Sequence, residues 1–265
     1  MEIIVLPMAE EVALRAAAIV TQALANARAG DARASATLGL ATGSSPLGLY
    51  RELARARRSG RLDLTAVHGF ALDEYVGLPT GHPQSYREVL TREVCGPLGI
   101  DPANLHVPDG SGSTLDELDA AAATYEHSIR ELGGIDAQIL GIGSNGHIGF
   151  NEPGSSLSSR TRVKRLSDRT RLDNARFFDR PEDVPTHCVT QGLGTILEAR
   201  ALVLVATGLA KAAAVAAAVE GPLTASCPAS VLQWHARAWV VVDEAAATGL
   251  RNREYYAEAA AGLDG

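Results

Sequence analysis

Residues 36–58 read ATLGLATGSSPLGLYRELARARR. The apolar run Ala36 to Ala41 stops at Thr42-Gly43-Ser44-Ser45-Pro46, and Leu47 to Arg58 then places its apolar residues at helical spacing. A buried strand feeding through a tight turn into a helix is the building unit of a parallel α/β sheet. A glycine and two hydroxyls at such a turn, with Pro opening the helix, present free backbone N–H groups at a positive helix end. That suits a phosphate, although the same residues also make an ordinary turn with a good N-cap.

The pattern repeats outward in both directions. Ile3 to Leu6, Val67 to Leu72, Ala137 to Ile142, Ala201 to Ala206 and Ala238 to Val242 are short runs rich in Val, Ile and Leu. Between them Glu10 to Arg28, Leu115 to Leu132 and Lys211 to Glu220 carry helical spacing. The expectation is one α/β domain over residues 1–265, an open, mostly parallel sheet with helices on both faces, Rossmann-like and three-layered. Ligands of such sheets sit beyond the carboxyl ends of the strands, so the residues just after each strand are the candidates for chemistry. One segment breaks the rhythm: Gly154 to Cys188 is dense in Ser, Arg and Asp, with few apolar residues. It is expected to be a lid or binding element.

Composition narrows the function classes. A net charge of -7 with 5% aromatic residues is a poor basis for holding nucleic acid. The longest apolar stretch, Ala212 to Val219, falls well short of the roughly 20 residues of a membrane span. The acidic start MEIIVLPMAEE lacks the basic residues of a secretory signal, and Cys95, Cys188 and Cys227 are odd in number and far apart. A reduced, cytoplasmic protein is expected, with the cysteines as small core residues.

Asp73 and Glu74 stand side by side after the third strand. Adjacent strand residues point to opposite faces, so one is expected to reach a substrate while the other caps or pairs. After the fourth strand, residues 141–153 read GIGSNGHIGFNEP. They hold a formal G-x-G-x-x-G, but no helix opens directly from it and an Asn-Glu-Pro follows, so a dinucleotide fingerprint is rejected. What remains is a backbone-exposing loop with an imidazole and a carboxylate, His147 and Glu152, suited to proton transfer near neutral pH. No second His or Cys stands at ligand spacing, so no metal is expected. Of 24 basic residues only Lys164 and Lys211 are lysines. Lys211 follows another strand-end turn, while Lys164 lies among Arg160, Arg162 and Arg165; each also reads as plain solvated charge.

Taken in order, LGLATGSSP (38–46), FALDEYVGL (70–78) with HPQSY (82–86), NGHIGFNEP (145–153), SRTRVK (159–164), NARFFD (174–179) and PASVLQWH (228–235) resemble the glucosamine-6-phosphate deaminases. The resemblance implies conversion of glucosamine 6-phosphate to fructose 6-phosphate and ammonia, in amino-sugar catabolism, with no cofactor. It implies that Asp73 moves the proton between C2 and C1, and that His147 assists ring opening with Glu152 orienting it. Gly43, Ser44, Ser45, Arg176 and Lys211 would hold the 6-phosphate. Asn145 departs from the aspartate of many members; an amide can still orient the imidazole but withdraws a negative charge. Ser155, Arg162 and Lys164 match positions where some hexameric members bind N-acetylglucosamine 6-phosphate as an activator, while Tyr255 and Tyr256 lie out of register for the tyrosine of that site. A homo-oligomer is implied. Two other readings compete: 6-phosphogluconolactonase, in which an arginine after the Asp-Glu pair and no Asn-Glu-Pro are expected, and a non-catalytic sugar-phosphate sensor domain of a transcription regulator.

Overall fold

The computed structural model describes residues 1–30 and 35–261. Among these, seven strands form one sheet in the order β1-β10-β9-β6-β2-β3-β5. They are β1 (Glu2–Leu6), β2 (Ala36–Leu40), β3 (Val67–Ala71), β5 (Leu105–His106), β6 (Ala137–Leu140), β9 (Leu202–Ala206) and β10 (Ala238–Asp243). Every neighbouring pair runs parallel. Helices flank the sheet to complete the three-layer α/β architecture expected from the sequence. All five residues of β2 and of β9 are buried, which is why they read as unbroken apolar runs.

The helices are α1 (Ala9–Gly30), α2 (Leu47–Arg58), α3 (Tyr86–Leu90), α4 (Gly96–Leu98), α5 (Leu115–Glu131), α6 (Asp168–Asn174), α7 (Leu193–Leu197), α8 (Ala212–Glu220) and α9 (Arg253–Ala261). Helix α5 starts with a complete capping box, Thr114 accepting from the Glu117 amide while Glu117 accepts from the Thr114 amide. Pro46 sits at the cap of α2 rather than inside its first turn. The three cysteines are buried and unpaired. No helix is long and apolar enough to cross a membrane among the described residues.

Two features depart from the sequence reading. The third strand stops at Ala71, and Asp73–Tyr75 forms β4 of a second, antiparallel sheet with the order β4-β8-β7. Its other strands, β7 (Arg162–Arg165) and β8 (His187–Thr190), belong to the segment expected to interrupt the fold. That segment is therefore regularly folded, with α6 between the two strands and a small core of Tyr75, Phe150, Leu166, Val184 and Cys188. Leu166, Val184 and Cys188 of the segment enter that core, while Leu172 and Phe177 stay exposed.

From β2 the chain moves outward through β3 to β5, whereas β6, β9 and β10 fill the other side. The reversal lies between β2 and β6. A crevice is expected beyond the carboxyl ends of those two strands, where the loops after residues 40 and 140 diverge.

Candidate active site

A cleft of about 300 Å³ opens at that place. Gly43, Ser44 and Ser45 line it from the loop after β2, His147 from the loop after β6, Asp73 from β4, Arg176 from the turn after α6 and Lys211 from the turn after β9. Residues from five separate stretches thus converge on a volume suited to a small polar metabolite. The loop after β2 is anchored by the Tyr50 hydroxyl, which donates to the Ala41 carbonyl at 2.9 Å and accepts from its amide at 3.0 Å. Gly43 then turns the chain with φ of 87°, a conformation costly for any residue with a Cβ. Lys211 donates to the Ile142 carbonyl at 2.6 Å, and burial lowers its pKa.

His147 belongs to a hydrogen-bonded relay. The Asn145 Nδ2 donates to Glu152 Oε2 at 2.7 Å, which leaves Oδ1 to face the imidazole. His147 Nδ1 lies 2.8 Å from that oxygen. An amide oxygen can only accept, so Nδ1 carries the proton and Nε2 keeps a free lone pair. The carboxylate itself is 3.9 Å from Nδ1, so Glu152 orients the ring through Asn145. Glycine is required at 143 because a Cβ there would overlap the imidazole. Burial lowers the His147 pKa and Lys211 pushes in the same direction, with Glu152 and Asp173 opposing. Burial alone would raise Glu152, but bonds from the Thr170 hydroxyl, the Ser167 amide and Asn145 hold it below the usual carboxylate range.

Asp73 is 5% exposed, and its pKa is raised well above normal by burial and by the like charge of Glu74. Glu74 does the capping expected of one member of the pair. It accepts from the amides of Tyr75, Tyr86 and Arg87 at 2.8, 2.9 and 3.0 Å, the last two at the start of α3. Asp73 lies against Gly149, whose added Cβ would be 3.5 Å from Asp73 Oδ2.

Ser155, Arg162 and Lys164 do not line this cleft. Ser155 is 2% exposed, and its hydroxyl has no hydrogen-bond partner among the described residues. Arg162 Nη1 donates to Asn151 Oδ1 at 2.9 Å, while Lys164 lies two residues further along β7. Asn151 Nδ2 in turn donates to the carbonyls of Ile148 and Gln191, so the base of β7 is tied to the loop that carries His147. Tyr255 lies exposed on α9, with Tyr256 half-buried beside it.

Sequence reasoning missed several contributors. Asn174 Nδ2 donates to the Tyr75 hydroxyl at 3.0 Å, and the Tyr86 hydroxyl donates to the same oxygen at 3.3 Å. These three line the cleft and join α6, β4 and α3 across it. Ser167 and Thr170, which hold Glu152, look in sequence like an ordinary helix cap, and Ser167 is indeed the N-cap of α6. Asp173 and Ser144 also line the cleft. No cluster of three metal-ligating side chains occurs among the described residues.

A family model described as glucosamine-6-phosphate isomerases/6-phosphogluconolactonase matches residues 7–241. A glucosamine-6-phosphate deaminase of Arthrobacter sp. (strain FB24) is 54% identical over 256 residues, covering 97% of this chain and 95% of that one. One from Rhodococcus opacus (strain B4) is 58% identical over 224 residues, covering 84% and 85%. Among solved structures, a monomeric glucosamine-6-phosphate deaminase superposes with a TM-score of 0.87 at 36% identity, over 94% of this chain and all of that one. A 6-phosphogluconolactonase from Trypanosoma brucei shares the fold, with a TM-score of 0.72 at 19% identity over 94% and 98%.

Proposed function

Since this chain belongs to the family of glucosamine-6-phosphate isomerases and 6-phosphogluconolactonases, we propose that its cleft converts glucosamine 6-phosphate and water to fructose 6-phosphate and ammonia. The observation that carries this reading is the meeting, in one cleft, of a buried carboxylate, an oriented imidazole and a strand-end phosphate loop.

The 6-phosphate rests on Gly43, Ser44 and Ser45 at the start of α2, with Arg176 and Lys211 supplying positive charge. Fixing the phosphate places the other end of the sugar against His147 and Asp73. His147 Nε2 takes the proton of the anomeric hydroxyl and returns it to the ring oxygen, which opens the pyranose. Nδ1 keeps its proton and donates it to Asn145 Oδ1, and Glu152 fixes the amide from behind. Asp73 removes the C2 proton, and its raised proton affinity makes it a stronger base than a solvated carboxylate. The enolamine is reprotonated at C1, water adds at C2, and ammonia leaves. These steps need only proton transfers and one water.

The assay is ammonia release with stoichiometric fructose 6-phosphate, unchanged by chelator, with 6-phosphogluconolactone as the comparison substrate. Lactone hydrolysis without ammonia release would reverse the assignment. Amino-sugar breakdown in the cytoplasm is the setting we propose.

We further propose that Ser155, Arg162 and Lys164 form an activator site for N-acetylglucosamine 6-phosphate. Two basic residues at alternate positions of β7 share a face, and the unpartnered Ser155 hydroxyl is close in sequence. If the site operates, the activator lowers the half-saturating substrate concentration, and Arg162→Ala with Lys164→Ala removes that response. Hyperbolic kinetics indifferent to the activator would end the idea. A homo-oligomer accompanies it, hexameric as in some relatives; the monomeric structural neighbour lends this no support, and sedimentation at working concentration decides.

A further inference from the structure

The proton relay has an imbalance. The side chain bonded to the His147 imidazole is a neutral amide, Asn145, and the carboxylate behind it is 3.9 Å from Nδ1. Burial and Lys211 both disfavour the charged ring. A base that gains a proton during ring opening needs compensating negative charge nearby.

A carboxylate unused by the mechanism stands at that place. Asp173, in the last turn of α6, lines the cleft with His147, Lys211 and Arg176. Its Oδ2 accepts from the Ser144 hydroxyl at 3.2 Å, on the residue before Asn145. The Arg169 guanidinium, one turn earlier on α6, holds its other oxygen at 3.2 Å. The carboxylate is thus fixed on both oxygens, one from its own helix and one from the loop that carries the imidazole.

We propose that Asp173 is a positioning residue for the reaction, clasping α6 to the 141–147 loop through Ser144 and supplying beside His147 part of the negative charge that Asn145 does not. The ionisable groups about the imidazole are Glu152 from the far end of its own loop, Lys211 from the turn after β9 and Asp173 from α6. Asp73, Tyr75, Tyr86, Arg92, Glu93 and Arg176 line the same cleft. Asp173 favours the charged form of both His147 and Lys211, so it acts on the ring-opening base and on a phosphate cation together. Since α6 also contributes Thr170 and Asn174, movement of this helix would change the charge near the imidazole and the support of Glu152 at once.

This inference rests on the proposed deamination only for its kinetic readout. The primary test is an NMR titration of the His147 ring in the free protein, assigned with His147→Gln, beside the pH profile of kcat/KM. Asp173→Asn keeps an acceptor for Ser144 and removes the charge. The His147 midpoint is expected to move to lower pH, with the imidazole-dependent limb following, and the displacement should shrink in high salt because Asp173 is 41% exposed. Ser144→Ala cuts the same contact but leaves the charge, and a smaller displacement is expected. A midpoint unmoved in Asp173→Asn, or moved equally in both variants, overturns the proposal. Absence of ammonia release from the unmutated enzyme would sink the deaminase reading while leaving the titration result intact.

Discussion

His147 and Asp73 are driven in opposite directions by the same cause. Burial favours the neutral form of each, so the imidazole becomes a weaker base and the carboxyl a stronger one. Asn145 preserves the lower basicity of the ring, because it fixes the tautomer without adding charge. Asn145→Asp should therefore raise the His147 pKa, and the limb of the pH–rate profile that requires neutral imidazole should move to more alkaline pH. An unmoved limb would mean that position 145 is not electrostatically coupled to the ring. At Asp73 the amide variant matches the shape but cannot accept the C2 proton. For Asp73→Asn the rate should fall by roughly 10² to 10⁴, with the half-saturating substrate concentration little changed, since the phosphate contacts are elsewhere. Solvent exchange of the C2 hydrogen at a near-normal rate would remove Asp73 from the role of base.

Among the elements, the second sheet is the one that composition hides. Strands such as β2 and β9 are legible because every residue is buried and the apolar run is unbroken. Strand β7, read as Arg-Val-Lys-Arg, carries one apolar residue among three bases, and its partner β8 begins 22 residues after it ends, beyond the reach of local patterning. Strand β5 has two residues, too short for any periodicity. The relay was readable in part: His147 and Glu152 share one loop, and the amide chemistry of Asn145 implies a bond to the ring. Thr170 was not, since its support of Glu152 depends on α6 folding back over the loop. What seats β7 is Glu126 of α5, which accepts from the Thr161 amide at 2.8 Å and from the Thr161 and Thr195 hydroxyls and Arg160 at 2.5 Å each. Glu126 is 5% exposed, and in Glu126→Ala the Thr161 and Thr195 donors would lose this acceptor, while Arg160 keeps Glu198. A loss of about 3 kcal/mol is expected from unpaired buried donors and a broken ion pair, read from urea unfolding. A loss within 0.5 kcal/mol, typical of an ordinary surface change, would show that β7 is held by other contacts.

For the molecule as a whole, the active site works against folding. A buried carboxylate with a raised pKa binds its proton more tightly in the native state than in the unfolded chain. Below the unfolded pKa, about 3.9, both states are protonated and the burial is nearly free. As pH rises through the native pKa the folded state must either keep the proton against solution or bury a charge, and that share of stability is lost. Asp73→Asn removes the titration and keeps the volume. The variant should match the parent in Tm near pH 4 and exceed it progressively toward pH 8, by about 2 °C for each kcal/mol of relief in a chain of this size. Glu74, also raised by burial, trends the same way in parent and variant, whereas Glu152 has its pKa lowered and contributes stability that is kept at high pH and lost toward acid. Calorimetry of both proteins across that range separates the two carboxylates. A gain already present at pH 4, or none at pH 8, would mean that Asp73 carries its charge in the native state without penalty, and the raised proton affinity on which its role as base depends would have to be abandoned.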